Sequence, residues 1–130
     1  MGKTALEKSM DFAVRIVRLY QYLCREKKEF VMSKQILRSG TSIGANLREA
    51  KYAQSTNDFI SKNSIALKEV SETEYWLELL FKTDYLTEKE YNATINRHHP
   101  FHGAVSNDMK TARRCWGEPN PAGCCCSSHA

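Results

Sequence analysis

Ser33-Lys34-Gln35-Ile36-Leu37-Arg38-Ser39-Gly40-Thr41-Ser42-Ile43-Gly44-Ala45-Asn46-Leu47-Arg48-Glu49-Ala50 decides the fold class. Ile36, Gly40, Ile43, Leu47 and Ala50 recur in steps of four and three, the spacing of one face of an α-helix. Ser33 is the expected N-cap. Gly40 and Gly44 each cost about 1 kcal/mol inside a helix, so something must offset them. Four residues apart, they share a face on which another backbone can approach closely. Close helix packing is therefore the expected reason for them, ahead of a phosphate-binding loop.

The same period extends to either side. Upstream, Thr4 and Glu7 match the capping box that opens a helix. One apolar stripe then runs Leu6, Met10, Ala13, Val17, Tyr20 and Cys24, and a second runs Phe12, Ile16, Leu19 and Leu23. This helix is expected to end among the cations Arg25 to Lys28. Downstream, Ser55 and Asp58 open a third helix with its stripe at Phe59, Asn63, Ala66, Val70, Thr73, Leu77 and Leu80. Thr87 and Glu90 open a fourth, which is expected to stop at His98-His99-Pro100. The fold class is all-α, an up-down antiparallel bundle of three long helices and a short or truncated fourth.

Residues 1–96 are expected to form the bundle domain and residues 97–130 an irregular tail. The first part holds 16 Leu and Ile and the second none. A segment so poor in apolar bulk cannot offset its ordering entropy, and Gly103 to Ala130 are expected to be poorly packed. The tail has the composition of a foreign or frame-shifted end. It also holds all four histidines, His98, His99, His102 and His129, and four of the five cysteines, Cys115, Cys124, Cys125 and Cys126. Adjacent cysteines lack the paired spacing of a zinc site, so no metal is expected there.

Composition excludes several classes. The 130 residues suit one domain, and no apolar run is long enough to span a bilayer. The N-terminus carries no apolar export segment, so a cytoplasmic location is expected. A di-iron bundle needs Glu-x-x-His on two helices, and the first 97 residues contain no His. No nucleophile, base and orienting group can be assembled, so no enzyme and no cofactor are expected.

The charge distribution is more informative than its total of +4. Residues 1–54 carry 11 Lys and Arg against 5 Asp and Glu, and residues 55–96 carry 4 against 8. Arg15, Arg18, Arg25, Lys27, Lys28, Lys34, Arg48 and Lys51 are the candidate phosphate contacts of a basic face on the first two helices. Glu72, Glu74 and Glu78 are candidate subunit contacts, facing the basic helices of a neighbouring copy. Trp76 beside Tyr75 is the expected core or interface anchor. Arg38, Ser42, Asn46 and Glu49 share a helix face and are expected to form a satisfied polar network. The sequence offers no evident aromatic stacking platform for base readout.

The run from Gln35 to Ala50 closely resembles the signature of the four-helix-bundle family of 23S rRNA intervening-sequence proteins. Asp58-Phe59-Ile60, Ala66-Leu67-Lys68-Glu69 and Glu72-Thr73-Glu74-Tyr75-Trp76-Leu77 match its third helix, in order and spacing. The resemblance covers roughly residues 11 to 90. It implies an up-down bundle, commonly a ring-shaped homopentamer, with no established enzymatic activity. A related bundle is the accessory protein of diversity-generating retroelements, which implies RNA or DNA and a reverse transcriptase as partners. The alternative is a protein-interaction scaffold whose charged faces serve only subunit or partner contacts.

Overall fold

Thr4 caps the first helix as its spacing predicts. Its hydroxyl accepts from the Glu7 amide at 3.2 Å, and the Glu7 carboxylate accepts from the Thr4 amide at 2.8 Å. In the computed structural model, which describes residues 2–117 and all of their side chains except those of 98–101, 113 and 115–117, four helices follow one another. They are α1 (Ala5–Arg25), α2 (Met32–Lys51), α3 (Thr56–Lys82) and α4 (Glu88–Gly117). The Ser55 hydroxyl caps α3 by accepting from the Asp58 amide, and the Thr87 hydroxyl accepts from the Glu90 amide at the start of α4.

Neighbours in sequence are neighbours in space. α2 packs between α1 and α3, α3 also packs on α4, and α4 meets α1 more sparsely. Ile16 lies on Gly40 while Ser9 lies on Gly44, so α1 and α2 run antiparallel. Contacts of Ser39 with Thr73 and of Glu49 with Lys62 give α2 and α3 the same relation. Phe12, Ile16, Leu23, Ile36, Ile43, Leu47, Ala66, Val70, Leu77 and Leu80 form the core, joined by Leu86 and Val105. Of the two α1 stripes, the one through Phe12, Ile16 and Leu23 points inward. Met10 and Val17 of the other stripe, with Val14, stay exposed.

Two expectations are corrected. α4 does not stop at His98-His99-Pro100; with 30 residues it is the longest helix. Val105 is buried and Met109 packs on the core, so residues 97–117 are helix rather than irregular chain. Proline inside a helix costs about 3 kcal/mol, and docking of the segment beyond it offsets that loss. Residues 118–130, which include the three adjacent cysteines and His129, lie outside the described residues. Ser33 is also not the N-cap of α2. That position belongs to Val31, and the capping group is the carboxylate of Glu29.

Candidate nucleic-acid interface and its supporting contacts

The turn between α1 and α2 is built around a buried acid. Lys28 takes the left-handed conformation, with φ 54°, and the Glu29 amide donates back to the Leu23 carbonyl at 3.0 Å. This turns Glu29 inward. One carboxylate oxygen accepts from the Val31 and Met32 amides, each at 2.9 Å, and the other accepts from the Ser33 amide at 2.6 Å. The Ser33 hydroxyl donates to the Glu29 carbonyl at 2.9 Å. Burial pushes the Glu29 carboxyl up, but the amides of Met32, Ser33 and Val31 outweigh that and hold it below its ordinary value. A negative charge at a helix N-terminus also meets the positive end of its dipole.

Phe30 and Val31 are left outside by this arrangement, 53% and 72% exposed. Arg25, Lys27, Lys28 and Lys34 surround them in sequence, all exposed. At the far end of α2 stand exposed Arg48 and Lys51, with Tyr52 75% exposed. The Lys51 ammonium lies 5.8 Å from the centre of the Tyr52 ring, within cation–π range. Arg15 is half-buried and Arg18 exposed, along the middle of α1.

These eight cations do not share one face. Ser9 and Ile16 mark the flank of α1 that meets α2. At about 100° per residue, Arg18 and Arg25 lie about 170° around the helix from that flank, and Arg15 about 110°. Arg48 lies about 60° from the flank of α2 that meets α1. The cations therefore divide into an α1 row, a cluster at the α1–α2 turn and a pair at the end of α2. None forms an ion pair with a described carboxylate, nor do Lys8, Lys68, Lys89, Arg97, Lys110 and Arg114; Lys3, Arg38, Lys62 and Lys82 do.

The proposed polar network on α2 is corrected. Asn46 does donate to the Ser42 carbonyl at 2.9 Å and hydroxyl at 3.1 Å. Arg38 and Glu49 instead cross to α3. The Arg38 guanidinium binds the Glu72 carboxylate and reaches Glu69 at 3.4 Å, while Glu49 pairs with Lys62 at 2.6 Å. Arg38 and the Trp76 indole N–H, 3.2 Å from the same Glu72 oxygen, hold the Glu72 carboxyl below its ordinary value. Glu72 is thus committed to a partner in its own chain. Glu78 binds Lys82 one turn on at 2.9 Å, and Glu74 is half-buried on the same helix. Trp76 packs against the core, with the exposed Tyr75 ring edge-on to it at 5.0 Å.

Among the described residues, no group of three or more His, Cys, Asp or Glu side chains could hold a metal ion, and no helix is long and apolar enough to cross a membrane. The expected absence of a metal from His98, His99 and the terminal cysteines concerns side chains outside the described residues.

The family described as 23S rRNA-intervening sequence protein matches residues 3–102, which include every cation of the candidate interface. The chain belongs to the 23S rRNA-intervening sequence protein family. A crystal structure of a protein of unknown function from the S23 ribosomal protein family of Bacteroides thetaiotaomicron VPI-5482 is similar over most of this chain. It shares 57% identity and a TM-score of 0.81, covering 82% of this chain and 99% of its own. No curated protein gives a significant match. The family match runs past Pro100, in keeping with a fourth helix that continues.

Proposed function

We propose that this family member is a non-enzymatic, oligomeric accessory protein of the cytoplasm that binds RNA or DNA through its phosphates. The observation that supports this reading is that Arg15, Arg18, Arg25, Lys27, Lys28, Lys34, Arg48 and Lys51, which crowd α1, the α1–α2 turn and the end of α2, have no carboxylate partner among the described residues. Cations left unpaired are available to displace counterions from a phosphate backbone, a term that is tolerant of sequence and steep in salt. Their distribution over three groups suits a partner that wraps the bundle. The test is retention of the full chain on immobilised RNA and DNA, with its mass in solution followed alongside. Retention at low salt that is lost at moderate salt, with the oligomer intact, is expected. Free passage at low salt would overturn the proposal.

A protein-interaction scaffold is the second reading, favoured by the exposed Met10, Val14 and Val17 of α1. That row, one helical turn at a time, is the spacing of a helix-packing seam. The two readings are compatible if apolar residues join the copies and cations remain outside. They part if neutralising the cations dissolves the oligomer.

A further inference from the structure

Among the described residues, Tyr52, Val31, Tyr75 and Phe30 are the most exposed large apolar side chains, and Phe30, Val31 and Tyr52 flank α2 at its two ends. Phe30 lies within five residues of Arg25, Lys27, Lys28 and Lys34, and Tyr52 adjoins Lys51 and lies four residues from Arg48. Neither ring belongs to the core.

The backbone holding Phe30 is fixed on both sides. Glu29 before it takes the amides of Val31, Met32 and Ser33 after it, so the ring stands on a fastened turn. The same contacts fill the N-terminus of α2 with a carboxylate. A phosphate cannot use those amides, which leaves the ring and the neighbouring cations as the means of binding there. At the other end, the Lys51 ammonium lies over the ring of Tyr52, which is 75% exposed, so a base would stack on the face away from the lysine.

Aromatic faces beside unpaired cations match the chemistry of an unstacked nucleotide, whose base stacks while its phosphate is neutralised. A duplex offers the phosphates but hides the faces of its bases. We infer that Phe30 and Tyr52 are base-stacking residues and that the partner is single-stranded nucleic acid in preference to duplex. This rests on the nucleic-acid reading above and specifies its substrate class.

The test is fluorescence anisotropy of the full chain with a labelled pyrimidine-rich 20-mer strand and with the same strand in a duplex, at fixed salt. Phe30→Leu and Tyr52→Leu keep apolar bulk and remove the ring, and thermal melts establish that both variants fold. The strand is expected to bind at least about ten-fold more tightly than the duplex. Each substitution is expected to weaken strand binding about 5- to 100-fold and to leave duplex binding unchanged. Equal affinity for both forms, or strand binding untouched by both substitutions, would overturn the stacking role while salt-dependent binding kept the broader function. Binding of neither form would overturn both. Retention on phosphatidylserine vesicles that Phe30→Ser abolishes, with strand affinity unchanged, would reassign the turn to a lipid surface and overturn the inference.

Discussion

Gly40 of α2 sits so close to Ile16 of α1 that a Cβ built on it would stand 2.8 Å from the Ile16 Cγ2 atom. Ile16 is fully buried and branched at Cβ, so it has neither space nor rotamers to yield. The small residue is what lets the two helices meet. Gly40→Ala is expected to lower stability by about 1–3 kcal/mol, despite a gain of about 1 kcal/mol in helix propensity. Gly44 is the control: a Cβ there would meet the Ser9 hydroxyl at 3.1 Å, a contact that needs only a small shift. Gly44→Ala is expected to be near neutral. Thermal melts of the two variants check the contrast.

Glu29 ties stability to pH. Its carboxyl titrates below its ordinary value in the folded chain, so the stability it contributes is present above the unfolded value near 4.5. That contribution is lost as pH falls through the lower folded value. Glu29→Gln keeps the shape and removes the charge, and is expected to cost about 1–2 kcal/mol at neutral pH. Denaturant melts at pH 7 and pH 3 should show the wild-type advantage shrinking in acid.

Arg38 joins α2 to α3 through Glu72 and Glu69 but is half exposed, which limits its worth to about 0–1 kcal/mol. Arg38→Ala is expected to lower the melting temperature by a few degrees and to leave nucleic-acid affinity unchanged. A loss of nucleic-acid affinity with no loss of stability would contradict the structural role.

Val105 is the buried anchor of α4 beyond Pro100. Val105→Ala is expected to cost about 1–3 kcal/mol, whereas a residue in an unpacked tail would cost nothing. Chemical denaturation followed by circular dichroism measures this directly.

Glu78 binds Lys82 within α3, so if it and Glu74 also meet a neighbouring copy, reversing both charges is expected to weaken assembly, and a compensating reversal on the basic surface of the neighbour is expected to restore it. Solution mass reads both. Such pairs contribute only about 0–1 kcal/mol each, so they would orient copies that apolar residues hold together.

The features legible in sequence were those decided within one turn of chain. Thr4 with Glu7 and Ser55 with Asp58 announce helix starts because cap and amide are three residues apart. Both apolar stripes of α1 were legible too, but not which one faces inward, because that depends on where α2 lies. Glu29 was missed as the cap of α2 since it reaches forward from a turn formed by left-handed Lys28. Arg38 and Glu49 share a helix face, yet their partners come from residues 13 to 34 positions away on α3. The local stop signal at Pro100 lost to the packing of Val105. At the candidate interface, charge named the cations, while the exposure of Phe30 and Tyr52 emerged only with the fold.

The central claim is that the unpaired cations meet phosphates, and the salt dependence of binding tests it most directly. Log affinity for a nucleic acid against log salt concentration is predicted to fall with a slope of several units, because each phosphate contact adds about 0.7–0.9. Lys27→Gln with Lys28→Gln is predicted to make that slope shallower by about two and to leave the melting temperature unchanged. A slope near zero, or one that these substitutions do not alter, would contradict the account.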